Sequence, residues 1–216
     1  MEAIIAGATG LIGNNLLQKL LDHPYYTSVT AILRKEIQLQ HPKLKQLVVD
    51  FDRLENHQDD IKGDVVFCAL GTTKSKTPDE QQYRKIDYQY PLDIAFMAHQ
   101  NGVQQYHLVS ALGANVHASI FYSRLKGEVE RDLKSIPFQS VHIYRPSLLV
   151  GERTEQRSAE GFMIGLMRIL NPLLIGGLKK YRSIHIEKVA SAMLKQSLTQ
   201  SKGIFTYNSD QIEEMG

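Results

Sequence analysis

The sequence predicts a doubly wound α/β fold, a mostly parallel sheet with helices on both faces. Three observations carry that expectation. Short β-rich apolar runs recur along the 216-residue chain, longer stretches with helical periodicity separate them, and a glycine-rich turn stands at the first strand-to-helix junction. Strands covered on both faces read as nearly unbroken apolar runs, whereas half-solvated strands alternate apolar with polar residues.

The first run is EAIIA, residues 2–6. The following LIGNNLLQKLLDHP puts Ile12, Leu16, Leu17, Leu20 and Leu21 on one helical face, and Pro24 closes it. Further strands are expected at SVTAIL (28–33), KQLVV (45–49), DVVFCAL (64–70), QQYHLVS (104–110) and SVHIYR (140–145). A helix is expected from about Asp79 to Asn101, stopped by Gly102, and another from about Ala118 to Ser135, before Pro137. After Gly151 the alternation fades. Helical spacing returns over 158–170 and 187–200, where Val189, Ala192, Met193 and Gln196 share a face. The length suits one domain over 1–216, with residues about 151–186 as a small C-terminal extension on the substrate side.

Composition excludes several function classes. Lys and Arg number 25 against 23 Asp and Glu, and apart from LKKYR at 178–182 they are scattered, so no basic stripe points to nucleic acid. Eight histidines without an HExxH or a Cys/His cluster argue against a metal site. The longest apolar stretch, 161–178, is broken by Arg168, Asn171 and Pro172, which argues against stable membrane insertion. One cysteine, Cys68, cannot form an internal disulfide and reads as a buried small hydrophobe. The N-terminus runs directly into a strand with no signal sequence, and a cytoplasmic location is expected.

The AGATGLIG turn supplies Gly7, Gly10 and Gly13 between a buried strand and an amphipathic helix. Glycines there let the backbone approach a pyrophosphate, whose charge meets the helix N-terminus, so a dinucleotide is the expected ligand. NAD-binding versions place an acid at the end of the second strand. This chain has Arg34 there and Lys35 next, and a guanidinium can pair with a 2′-phosphate, so NADP(H) is expected over NAD(H). Asp50, after the third strand, could meet the adenine edge. Ala69, Leu70 and Gly71, after the fourth, would let the cofactor pass closely.

Ser110 ends the fifth strand, at the sheet edge where open α/β folds bind ligands. Tyr122 and Lys126 stand four apart on a predicted helix, hence one turn apart on one face. An ammonium so placed stabilises a phenolate, and tyrosine then becomes usable in acid–base catalysis. Arg124, Glu128 and Glu130 of the same helix read as ordinary surface.

At these residues the chain resembles a known family. GATGLIG, LVSALGA, YSRLKGEVE and YRPSLLVGER are similar to motifs of the atypical short-chain dehydrogenase/reductases, which have the Rossmann fold. The resemblance is to their small branch, related to the Tat-interacting oxidoreductase-like protein, and it covers Glu2 to about Leu198. It implies that Tyr122 is the general acid/base, that Lys126 holds the nicotinamide ribose and tunes Tyr122, and that Ser110 hydrogen-bonds the substrate carbonyl. It further implies a phosphate loop of Gly7, Thr9, Gly10, Leu11, Ile12 and Gly13, with Pro146 to Leu148 near the carboxamide. The chain departs from the family in having Asp87 where many members have Asn, and Ala111 where many have a second Ser or Thr. The part after Gly151 is also short for nucleotide-sugar substrates.

The expected function is NADPH-dependent reduction of a small carbonyl compound. The alternative is an NADPH-binding regulatory or interaction protein with incidental turnover. Residues 152–182 should cover the site, with Phe162, Met163, Leu166, Met167 and Leu170 as an apolar wall. The alternative is that these residues cap the core or make a homodimer contact, and a third reading is an amphipathic element on a membrane surface.

Overall fold

The computed structural model describes residues 1–151 and 171–216. In chain order the elements are β1 (Glu2–Ala6), α1 (Leu11–Asp22), β2 (Ser28–Leu33), β3 (Leu44–Val48), a 3-10 segment (Phe51–Asp60) and β4 (Val65–Cys68). Next come α2 (Glu80–Arg84), a π-helical turn (Lys85–Gln89), α3 (Tyr90–Gln100), β5 (Gln105–Val109), α4 (Phe121–Leu133), β6 (Ser140–Arg145) and β7 (Leu149–Val150). After two short 3-10 turns follow β8 (Ile184–His185), α5 (Ile186–Ser197), β9 (Gly203–Asn208) and α6 (Ser209–Met215).

Seven strands form one parallel sheet in the order β3-β2-β1-β4-β5-β6-β9, and β7 pairs with β8 in a separate ladder. All six expected strands are present. Successive residues of a strand point to opposite faces, and in β1 this sends Ala3 and Ile5 to one core and Ile4 and Ala6 to the other. The first core is closed by α1, through Ile12, Leu16, Leu17, Leu20 and Leu21, and by Val189, Ala192 and Met193 of α5. The second lies under α3 and α4, through Ile94, Ala98, Val129 and Leu133. Gln196, expected on the inner face of α5, is only partly buried. The helix expected over 158–170, and with it the wall from Phe162 to Leu170, lies outside the described residues.

Two departures from the sequence reading bear on the site. The helix expected over 79–101 is interrupted by the π-helical turn at 85–89, followed by Pro91 in the first turn of α3. Proline has no N–H to give to the helical ladder, and the wide turn ahead of it takes up the irregularity. Asp87 sits in that turn. The second departure is β9 with α6, which lengthens the sheet by one strand. Its sequence, GIFTYN, is only partly buried and lacks the apolar run that marks the other strands.

The register also aligns a row of rings across four neighbouring strands: Phe67, His107, His142 and Phe205. The imidazoles of His107 and His142 stack with centroids 4.4 Å apart, and each ring makes a hydrogen bond with a tyrosine hydroxyl, Tyr144 and Tyr207 respectively. Burial disfavours the imidazolium, pushing His142 down to about 4 and, with the neighbouring His142 adding to it, His107 well below the usual range. The unfolded chain binds these protons near its ordinary ~6.5, the folded chain only at lower pH, so stability present above that value is lost as pH falls. Between pH 7 and 5, His142 alone is expected to remove about 2 kcal/mol, read from urea unfolding at each pH. A flat profile over that window would contradict the assignment.

Candidate active site

The carboxyl ends of β1, β4, β5 and β6 open onto a cavity of about 890 Å³. One wall is Thr9 to Ile12, the turn into α1. Gly7 has φ +86°, a left-handed conformation natural to glycine, and a Cβ there would stand 2.6 Å from the Ala69 backbone. A Cβ on Gly13 would fall 2.1 Å from the Gly7 carbonyl oxygen. These two glycines therefore shape the turn from behind, packing it on itself and on the end of β4, while Thr9, Gly10, Leu11 and Ile12 face the cavity. No side chain caps the first turn of α1. Its amides and the positive end of the helix dipole are thus left for an anion. The cradle fits a dinucleotide pyrophosphate.

Ala69, Leu70 and Gly71 line the same cavity, as do Pro146 and Leu148. Arg34, Lys35 and Asp50 do not line it. They are exposed beyond β2 and β3, on the sheet edge that carries the glycine turn, since Ile32 is in register with Ala6. The Asp50 carboxylate accepts the Asp52 N–H at the start of the 3-10 segment.

Ser110, Tyr122 and Lys126 all reach the cavity. Gly127 makes that placement possible: a Cβ on it would lie 2.3 Å from the Asn115 carbonyl carbon, so α4 rests directly on the loop that follows β5. Tyr122 stands near the start of α4, 39% exposed, and its hydroxyl is not engaged by a hydrogen bond among the described residues. Nearby Tyr83 differs. It is buried, gives its hydroxyl hydrogen to the Thr72 carbonyl, and burial together with the Asp87 charge raises its pKa.

Lys126 is buried, with Nζ 2.9 Å from Asp87 Oδ1, while Asp87 Oδ2 accepts the Thr72 N–H at 2.8 Å. Burial works against the lysine's charge, but Asp87 first and the Tyr122 oxygen next outweigh it, and the pKa is raised. Asp87 thus fastens Lys126 to the end of β4. The space over this pair is kept open by Gly71, on which a Cβ would lie 3.4 Å from Asp87 Oδ1.

Ser110 Oγ lies 2.5 Å from Oε1 of Glu130, and Arg145 donates to both oxygens of that carboxylate, at 2.9 and 2.5 Å. Glu130 is therefore not helix surface, as its sequence position led us to expect; it is 2% exposed and lies beneath Ser110. The helical period shows the reason, because Lys126 and Glu130 are four apart and share the inward face. Glu128 lies on the outer side, paired with Arg84 at 2.6 Å, and Arg124 donates to the carbonyls of Ala118 and Ser119. The sequence reading missed Gly127, Glu130 and Arg145. A glycine inside a helix was the available signal for the first; nothing local pointed to the others.

Among the described residues there is no cluster able to hold a metal ion, and no helix is long and apolar enough to cross a membrane.

Comparison with known proteins agrees with this geometry. A family model described as NAD(P)H-binding matches residues 7–136. Protein HTATIP2 of Rattus norvegicus is 33% identical over 163 residues, covering 74% of this chain and 67% of its own. Protein FMP52, mitochondrial, of Saccharomyces cerevisiae is 32% identical over 186 residues, covering 85% and 78%. Among solved structures, MoeE5 in complex with UDP-glucose and NAD superposes with a TM-score of 0.72 at 18% identity, covering 96% of this chain and 75% of that one. A UDP-glucose 4-epimerase of Thermotoga maritima gives 0.70 at 14% identity, covering 99% and 81%. At such identities these structures show the fold alone. With a glycine cradle at the head of α1 and the family match running from Gly7 through α4, the chain belongs to the NAD(P)H-binding Rossmann-fold family that includes HTATIP2 and FMP52.

Proposed function

We propose that the protein is an NADPH-dependent oxidoreductase that reduces a small carbonyl compound, with Tyr122 as proton donor. One observation carries this reading: an unengaged tyrosine hydroxyl shares a cavity with the glycine cradle, one helical turn from a buried, ion-paired lysine. When bound, NADPH would supply the hydride. Tyr122 gives its proton to the carbonyl oxygen, and the Lys126 charge favours the phenolate left behind. Held by Asp87, Lys126 keeps its ammonium in one place, available to a ribose hydroxyl. Ser110 faces the substrate from the same cavity. Pro146 and Leu148 bound the nicotinamide side, and Asp50 would meet the adenine. Tyr181, which lines the cavity, supports the reading of residues about 151–186 as a substrate-side extension, of which 152–170 lie outside the described residues.

Arg34 and Lys35 are proposed to select NADP(H), being exposed cations at the end of β2. Arg34→Ala should weaken NADPH about 10-fold or more, a charge-assisted interaction lost, while NADH changes less than about twofold. An unchanged ratio of the two dissociation constants would rule the role out.

The function itself is tested by NADPH oxidation against a panel of aldehydes, ketones and quinones. A rate clearly above that of the Tyr122→Phe protein is expected with at least one class. No such rate would leave the alternative, an NADPH-binding regulatory protein. A free, buried Cys68 suits a reducing compartment. We keep a cytoplasmic location as a proposal, beside relatives whose names say mitochondrial.

A further inference from the structure

We propose that Ser110 meets the substrate as a hydrogen-bond acceptor, its own proton being held by the Glu130–Arg145 pair, so that the site favours carbonyl compounds with a hydroxyl on the neighbouring carbon. The inference rests on the reductase reading and names the substrate class of that same site.

The argument begins at Glu130. An ionised carboxylate has lone pairs and no hydrogen, so whatever hydrogen-bonds to it must donate. Its three partners among the described residues are Ser110 Oγ at 2.5 Å and two guanidinium nitrogens of Arg145 at 2.9 and 2.5 Å. The guanidinium meets both carboxylate oxygens, and pairing with Glu130 raises the pKa of Arg145. Arg145 also borders a second, smaller cavity beside Gly127, Glu130 and Lys134, which leaves the guanidinium partly solvated while Glu130 is 2% exposed. The serine hydrogen is thereby committed to Glu130. A separation of 2.5 Å falls in the range of charge-assisted O–H···O⁻ bonds, among the strongest a serine makes.

Ser110 nevertheless lines the main cavity with Tyr122. A hydroxyl that has given up its hydrogen still offers lone pairs, so what it presents there is an acceptor. A bare carbonyl oxygen, itself only an acceptor, gains nothing from it and takes its hydrogen bond from Tyr122. A hydroxyl on the adjacent carbon donates to Ser110 while the carbonyl faces Tyr122, and both partners are satisfied. Ala111, in place of a second Ser or Thr, brings no further donor from that position. Glu130 and Arg145 are positioning residues in this scheme, acting through Ser110.

The test uses the full chain loaded with NADP⁺ and a matched pair of probes, 2-hydroxyacetophenone and acetophenone, with dissociation constants from calorimetry. The wild type is expected to bind the hydroxyketone about 10-fold more tightly, as one neutral hydrogen bond provides. Ser110→Ala should bring the ratio to about one. Glu130→Gln, whose amide can donate to Ser110 and release its hydrogen, should lower the ratio by strengthening acetophenone. Loss of a merely structural contact would weaken both ligands alike. If Glu130→Gln does not fold, the smaller change Ser110→Ala decides. An equal ratio in wild type and Ser110→Ala, a wild-type preference for acetophenone, or no binding of either probe would overturn the proposal. NADPH turnover is measured in parallel: the ratio without turnover above Tyr122→Phe sinks the reductase reading alone, and turnover without the ratio sinks this inference alone.

Discussion

Replacing Tyr122 by Phe is expected to lower kcat/KM about 10²- to 10⁴-fold for any carbonyl compound the protein reduces, leaving the NADPH dissociation constant within about twofold. The substitution removes one oxygen and keeps the ring. Because the hydroxyl has no hydrogen-bond partner among the described residues and the side chain is 39% exposed, stability should move by no more than about 0.5 kcal/mol. Only proton donation is lost. Tyr181 lines the cavity as well, and Tyr181→Phe should leave the rate within a small factor. The opposite pattern, a large loss at Tyr181 and none at Tyr122, would move the proton donor to Tyr181.

Asp87→Ala should cause the largest loss of stability, about 3–5 kcal/mol, because it leaves the Lys126 ammonium buried without its counter-charge and the Thr72 N–H without its acceptor. In a chain of this length that corresponds to a fall in Tm of roughly 10 °C or more. Asp87→Asn retains an acceptor for Thr72 and a dipole toward Lys126, so a smaller loss of about 1–2 kcal/mol is expected. The pair Asp87→Leu with Lys126→Met removes both charges and should recover most of the stability while abolishing turnover. Double-mutant analysis of thermal and urea unfolding checks this. Independent, additive losses would show that the ion pair carries no coupling.

The two predictions separate the proposed role of Tyr122 from what Asp87 does for Lys126. The second role was illegible in the sequence. Asp87 lies 39 residues before Lys126, and its approach depends on the π-helical turn at Lys85–Gln89. Periodicity read an ordinary helix there, since it registers which face is apolar and not how many residues a single turn holds.

The sequence by itself determined the doubly wound order of elements, because parallel strands covered on both faces must be apolar runs separated by helices. It also determined the cradle, because only glycines at positions 7 and 13 allow the turn to close on its own backbone and on β4. The Tyr122–Lys126 spacing was legible for the same local reason, one helical turn. The tertiary structure alone decided where charge is buried. Glu130, surface by its neighbours in sequence, is drawn under Ser110 because α4 closes onto the sheet at Gly127 and Arg145 waits at the end of β6. Burial and counter-charge are properties of packing between distant segments, which no local stretch of sequence records.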